Sequence, residues 1–408
     1  MKKLLIFSFL LLSSYISMTQ PTPKSLLIYY GFPSKINNVI SLQAAADTFS
    51  KYKYVVWPDN MESVAINPIE MPKNKQIFDL INKQTTKVFG YISLSMKANG
   101  PKLSQNTIRA KIDLIYTFGV RGILFDECGY QDNVSRARLD SSVKYAHSKQ
   151  MGIIANTIYP QEIFSNAYDA TWNQNSIPTP FSNQDFYLFE SHTIINGSYF
   201  RFQGENGSLY DEWEYWKAKS DSIRKYEQRV GFKTFSITTP DYFSTYDVQK
   251  FHFAWFCAWL NGHEATGWGE QNFSSDVQGN TSKNIALFRN RPNITGYGDR
   301  FLSDFIKDGN NYIRYTNTGK IQVNTQFKNY GFGSFDNIIS SQTGFWNVNT
   351  TWNSSLIPTT YNNVILNNNH NITLSTGTSA FSVKLNLKSN AKIIFQNNTT
   401  LNINAGSN

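Results

Sequence analysis

From Lys24 to Trp268 the chain alternates short apolar runs with stretches whose apolar residues recur at helical spacing. The apolar runs predict strands at Lys24–Gly31, Tyr54–Trp57, Lys87–Ser93, Gly122–Phe125, Met151–Asn156, Asp185–Glu190, Phe232–Thr238 and His263–Trp268. Helical spacing falls between them: Leu42, Ala45, Ala46 and Phe49 in the first, Ile108, Ile112 and Ile115 after the N-cap candidate Ser104 in the third. Further helices are predicted over 75–82, 134–150, 160–167, 211–230 and 247–260, with an Asn- and Pro-rich inserted loop over 169–183. Strands alternating with helices in this way predict an α/β fold, a (β/α)8 TIM barrel, which takes about 250 residues. An open doubly wound sheet is the alternative. No Gly-rich phosphate loop follows the first strand, which counts against its nucleotide-binding version.

The pattern then changes twice. Asn310–Thr325 alternates Tyr, Ile and Val around Asn317-Thr-Gly319 and predicts a β-hairpin. From Gly331 helical spacing disappears and short β runs recur between Asn-rich turns: Asn363-Val-Ile-Leu, Asn371-Ile-Thr-Leu, Lys392-Ile-Ile-Phe and Thr400-Leu-Asn-Ile. This organises the chain as a barrel over 21–329 and a small all-β C-terminal module over 330–408, either a truncated solenoid or a compact appendage. At the other end, Met1-Lys2-Lys3 followed by the apolar run Leu4–Ile16 reads as a secretory signal peptide over 1–20. We therefore expect a secreted, extracellular protein with no membrane insertion, and a monomer.

Composition narrows the chemistry. The formal net charge is +9, yet Lys and Arg are scattered with no basic block, so nucleic acid is not an expected partner. Two cysteines, Cys128 and Cys257, exclude a disulfide scaffold and a Cys-based zinc site, leaving one bridge or two buried thiols. The histidines do not cluster and no His-Glu-x-x-His or Gly-x-Ser-x-Gly pattern occurs, so neither a metal nor a cofactor is expected.

The chemistry-bearing stretch is Arg121-Gly-Ile-Leu-Phe-Asp-Glu-Cys-Gly-Tyr130. It ends a buried strand on Asp126 and Glu127, and ionised groups beside an apolar core need partners. In parallel α/β folds that end of the sheet carries the active site. Strand alternation aims Asp126 with Leu124, and Glu190 with Phe186 and Leu188, into the barrel mouth, and turns Glu127 away. Two carboxylates across a mouth lined by aromatics suit glycoside hydrolysis, one as acid and the other as nucleophile or base. Asp126, Glu190 and Glu127 are the candidate catalytic residues. Tyr30, Tyr91, Asn156, His192, Trp268 and Glu270, at the same strand ends, are candidates for binding substrate. A non-catalytic carbohydrate-binding or matrix protein on the same barrel is the competing reading.

Several segments also resemble a known group. Leu27-Ile-Tyr-Tyr-Gly-Phe-Pro-Ser34, Val88-Phe-Gly-Tyr-Ile-Ser93, Gly122-Ile-Leu-Phe-Asp-Glu127, Ser135-Arg-Ala-Arg138, Ile154-Ala-Asn156 and Phe186-Tyr-Leu-Phe-Glu-Ser191 look like the hypothetical glycosyl hydrolase family 15 group. That group is similar in turn to the spherulin-4-like and endo-α-1,4-polygalactosaminidase families. The resemblance implies a barrel glycosidase acting on an amino-sugar polysaccharide. It implies an acidic pair after the fourth strand and a Glu after the sixth, which match Asp126-Glu127 and Glu190. The loop over 169–183 departs from the spherulin-4-like pattern. The tail segments Thr343-Gly-Phe-Trp-Asn and Thr351-Trp-Asn resemble Trp-rich β modules appended to secreted proteins of Bacteroidetes-type bacteria.

Overall fold

A computed structural model describes residues 22–199, 212–239, 246–270, 284–304 and 306–403. The expected signal peptide lies outside the described residues. Eight parallel strands form the first architecture: β1 (Lys24–Ile28), β2 (Tyr54–Val56), β3 (Lys87–Ser93), β4 (Gly122–Asp126), β5 (Gly152–Asn156), β6 (Phe186–Phe189), β7 (Lys233–Ile237) and β8 (Ala265–Gly267). β1 pairs with both β2 and β8, so the sheet closes into a barrel, and the open doubly wound alternative is excluded.

Alternation divides each strand between two cores. Leu26, Ile28, Val56, Phe89, Leu124, Ile154, Leu188, Phe235 and Ile237 fill the barrel interior. Their neighbours Leu27, Val55, Ile123, Phe125, Ile153, Tyr187 and Phe189 join the larger core under the helices. This is a packed barrel rather than a pore, so a ligand meets only its mouth.

Among the described residues seven helices cover the strands: α1 (Leu42–Phe49), α2 (Glu70–Leu80), α3 (Gln105–Phe118), α4 (Arg136–Ser148), α5 (Pro160–Phe164), α6 (Glu212–Val230) and α7 (Val248–Asn261). Ser41, Ser104 and Ser135 each cap a helix by accepting a backbone N–H. Gly119 ends α3 at φ 113°, a conformation that β-carbon sterics forbid to most residues. Among the described residues no eighth helix follows β8.

α7 is apolar on nearly every side, carrying Phe251, Phe253, Trp255, Phe256 and Trp259. A helix of that kind must be covered on both faces. The barrel covers one. The other meets a four-stranded antiparallel sheet, β9 (Ile306–Asp308), β10 (Asn311–Tyr315), β11 (Lys320–Asn324) and β12 (Asn329–Gly333). Tyr330 lies 4.9 Å from the Phe256 ring and Phe332 5.2 Å from Trp259. The predicted hairpin is thus the middle of this sheet. Because β12 runs to Gly333, a division at 329 would cut the sheet, and the boundary falls after Gly333 instead.

Beyond it the tail winds into a three-sided parallel solenoid. Asn363, Asn371 and Ser379 lie against Lys384, Lys392 and Thr400, each 21 residues further along the chain. Ile338, Trp346, Trp352, Val364, Leu366, Ile372, Leu374 and Ala380 form its own core. Of the two expected forms, the solenoid is the one adopted.

Candidate active site

The register pairs Ser93 with Asp126 across β3 and β4. Leu124 points into the barrel, so Asp126, two residues on, opens into the mouth. Its two oxygens are held separately: Oδ2 accepts the Tyr91 hydroxyl at 2.7 Å and Oδ1 the Glu127 backbone N–H at 2.8 Å. Burial pushes the Asp126 carboxyl up to about 7, and the charge of Glu190 adds to that, while the Tyr91 and Glu127 hydrogen bonds pull it down. Asp126 and Glu190 therefore share one electrostatic environment at the mouth.

Glu127 corrects an expectation. Alternation would turn it away, but its φ is 48°, and this left-handed residue ends the strand period. Its carboxylate instead accepts the Ser93 hydroxyl at 2.7 Å, and Ser93 shares the inward face with Tyr91. Three carboxylates thus converge on one end of the barrel. Lys97 stands beside them, paired with the buried Asp132 at 2.7 Å and drawn up by Asp132 and, more weakly, by Glu127.

Glu190 follows β6 and is exposed, with the Asn156 amide donating to Oε2 at 2.9 Å. Behind it lies a pocket of about 210 Å³ bounded by Asn156, Thr157, Phe189, Glu190, Tyr215 and Lys219. On the Tyr91 side the mouth widens into a cavity of about 570 Å³ whose walls include Tyr30, Phe32, Asp59, Asn67, Tyr91 and Asn284. Tyr30 and Tyr91 meet edge to face at 5.6 Å. Tyr91, which donates to Asp126, thus lines the wider cavity, and Glu190 lines the smaller one.

The turn after the acidic pair is tightly specified. A β-carbon on Gly129 would run into Thr157 Oγ1 and Glu162 Oε2. Glu162 accepts the Tyr130 N–H at 2.7 Å, tying the β4 loop to α5. The fully buried Arg136 donates to the carbonyls of Ile177, Glu162 and Ser165, and its own N–H to Trp172 O. The 169–183 loop is thereby held against the barrel. Cys128 is buried, its thiol donating to Asn156 O at 3.1 Å, and Cys257 is likewise a buried free thiol.

Three of the expected substrate residues lie elsewhere. His192 is 1% exposed and packs among Phe189, Trp216 and His263, outside the sheet. Ser191 and Thr193 on either side of it are left-handed, so the chain turns the ring back under the barrel wall. Burial pushes its imidazole well below the usual range. Trp268 follows the inward-facing Gly267 position by one residue and so faces outward, against Phe251, Ala254 and Tyr246. Glu270 is committed to Arg289, whose Nε and Nη2 both reach Oε1. Tyr30, Tyr91 and Asn156 do line the mouth. Ser93 and Lys219 were not anticipated; Ser93 was legible from its parity with Tyr91, whereas Lys219 is one basic residue among several on α6. Among the described residues no cluster of His, Cys, Asp and Glu could hold a metal ion.

Comparison with known proteins assigns this chain to no family. No family model matches the chain, and no curated protein matches it. Solved structures similar to it include an endocellulase from Pyrococcus horikoshii, in complex with cellotetraose, at 11% identity and TM-score 0.40, covering 64% of this chain and 87% of that one. Others are the type I 3-dehydroquinate dehydratase of Clostridium difficile (15% identity, TM-score 0.36, 64% and 87% covered) and the D-allulose 3-epimerase of Methylomonas sp. (12%, 0.32, 62% and 86%). At this level of likeness they carry no argument about the reaction.

Proposed function

We propose that this chain is a secreted glycoside hydrolase that cuts a polysaccharide internally, with Asp126 and Glu190 as its acid pair. The observation that carries the reading is that Asp126, Glu127 and Glu190 stand at one end of the barrel, beside the aromatic cavity that Tyr91 lines and the smaller pocket that Glu190 lines. Such a pair must hold one proton between its members near neutral pH. Two donors already serve Asp126 as an anion, and what opposes its ionisation is burial and the charge of Glu190. In this reading Asp126, which accepts from both Tyr91 and the Glu127 N–H, is the nucleophile or the stabiliser of the oxocarbenium-like transition state. Glu190, exposed and one methylene longer, delivers the proton to the leaving oxygen. Glu127, held by Ser93, orients the cluster or a sugar hydroxyl. The basic and apolar start of the sequence supports export to where such polymers lie.

The test is release of reducing ends from a panel of amino-sugar, uronate-bearing and neutral polysaccharides. Cleavage lost in Asp126→Asn and Glu190→Gln supports the reading. Retention of a polymer without cleavage by the native protein makes it a binding module instead.

A further inference from the structure

The small pocket beside Glu190 contains a cation that makes no ion pair among the described residues, Lys219, with Glu190 across the pocket from it. Lys219 projects from α6 so that its Nζ lies 4.4 Å from the Phe189 ring centroid. Among the described residues no carboxylate pairs with it and no acceptor takes a hydrogen bond from it. Other lysines of the same helix behave differently: Lys217 pairs with Asp221 at 2.5 Å. Lys219 is partly buried, and an ammonium drawn from water without a full complement of acceptors is costly. A ligand that supplies an anion relieves that cost. The pocket's other walls combine the Asn156 amide and the Tyr215 ring with the apolar side chains of Ile158 and Ile195. At about 210 Å³ it is smaller than ordinary ligand pockets, which run from about 300 Å³. It therefore suits one sugar substituent or the edge of one ring rather than a run of residues.

We propose that Lys219 is a specificity residue that reads an anionic group, a carboxylate or a sulfate ester, on the sugar seated beside Glu190. The proposal rests on the glycosidase reading and names its substrate class, an acidic polysaccharide. It also revises the amino-sugar expectation at this position. A free amino sugar carries an ammonium of its own, and two cations in one small pocket repel. The titratable groups facing Lys219 are Glu190 across the pocket and the buried, neutral His192. Glu190 excludes anions placed against itself, so the ligand's charge must lie on the Phe189 side. Burial lowers the Lys219 ammonium to about 8, so it is mostly charged at neutral pH and loses its charge as pH rises past that value.

The experiment is binding of D-glucuronate, D-glucose 6-sulfate, D-glucose and D-glucosamine to the full chain, followed by saturation-transfer NMR and thermal shift at pH 7. At least one of the two anionic sugars should bind about tenfold more tightly than glucose, with glucosamine weakest; which anion prevails separates carboxylate from sulfate recognition. Lys219→Gln should abolish the preference and Lys219→Arg retain part of it. In the native chain the preference should fade between about pH 7 and pH 9, on either side of the Lys219 midpoint. Equal affinity for glucose and both anions, no binding of any anionic sugar at about 10 mM, or a preference that survives Lys219→Gln, each overturns the proposal. If Lys219→Gln fails to fold, the native pH series decides, since a preference unchanged at pH 9 also overturns it. None of these readouts needs bond cleavage. An anion preference without hydrolysis leaves this proposal standing and removes the enzyme reading, whereas hydrolysis without the preference does the reverse.

Discussion

Asp126 is held between opposing forces, and its titration follows from them. Burial and Glu190 raise it to about 7, while Tyr91 and the Glu127 N–H lower it. The pair is active with one proton, so kcat/KM should fall as pH rises through about 7, when that last proton leaves. Tyr91→Phe removes a donor that favours the anion. The alkaline limb should then move to higher pH by about one unit, because losing a charge-assisted hydrogen bond of about 1.4 kcal/mol shifts a pKa by that much. A limb that stays in place would detach Tyr91 from the titrating group. Roles are separated by the leaving group rather than by pH, since a pH profile reports only the pair. Asp126→Asn and Glu190→Gln should each lower kcat by about 10²–10⁴-fold. An aryl glycoside with a good leaving group should restore part of the Glu190→Gln loss and none of the Asp126→Asn loss; the opposite pattern would exchange the two assignments. At this scale the sequence made Asp126 and Glu190 legible because period-two alternation holds to the strand ends. It misled for Glu127 and His192, where left-handed residues end the period and leave no mark in residue type.

Between elements, the site depends on stitching that sequence patterns do not reveal. The Ser135-Arg-Ala-Arg138 segment does more than start a helix: Arg136 donates to three carbonyls across α5 and the 169–183 loop. Arg138 does the same for the β3–α3 connection, reaching Leu94 O and Leu103 O. Buried carbonyls left unpaired cost about 1–3 kcal/mol each. Arg136→Met should therefore destabilise the fold by about 3 kcal/mol or more in denaturant unfolding, with the loss of activity following loop displacement. A variant as stable as the native chain would show that the loop is held some other way. Gly129→Ala, where a β-carbon meets Thr157 and Glu162, should cost about 1–3 kcal/mol by overpacking. Helix and strand positions were legible because each barrel strand is a short apolar run. The outward Trp268 was not, because its direction depends on where β8 begins, and boundaries shift parity by one.

For the whole molecule, the sheet β9–β12 belongs to the barrel body and the solenoid does not share its core. A chain ending after Gly333 should fold and act on soluble substrate like the full chain. One ending at 329 loses β12 and with it Tyr330 and Phe332 over α7, so it should unfold at lower temperature; equal melting of the two would put the boundary back at 329. The β-rich character of the tail was legible from its Asn-punctuated runs, whereas the 21-residue coil shows only when Asn363, Asn371 and Ser379 are set against Lys384, Lys392 and Thr400. The central claim is that the carboxyls at the mouth cut glycosidic bonds. It is tested most directly by incubating the native chain, Asp126→Asn and Glu190→Gln with the same acidic polysaccharides and counting reducing ends. The account predicts chain cleavage by the native protein at pH 6–7 and a loss of about 10²-fold or more in each variant with folding intact. Equal release by all three, or none by the native protein on any polymer it binds, would contradict it.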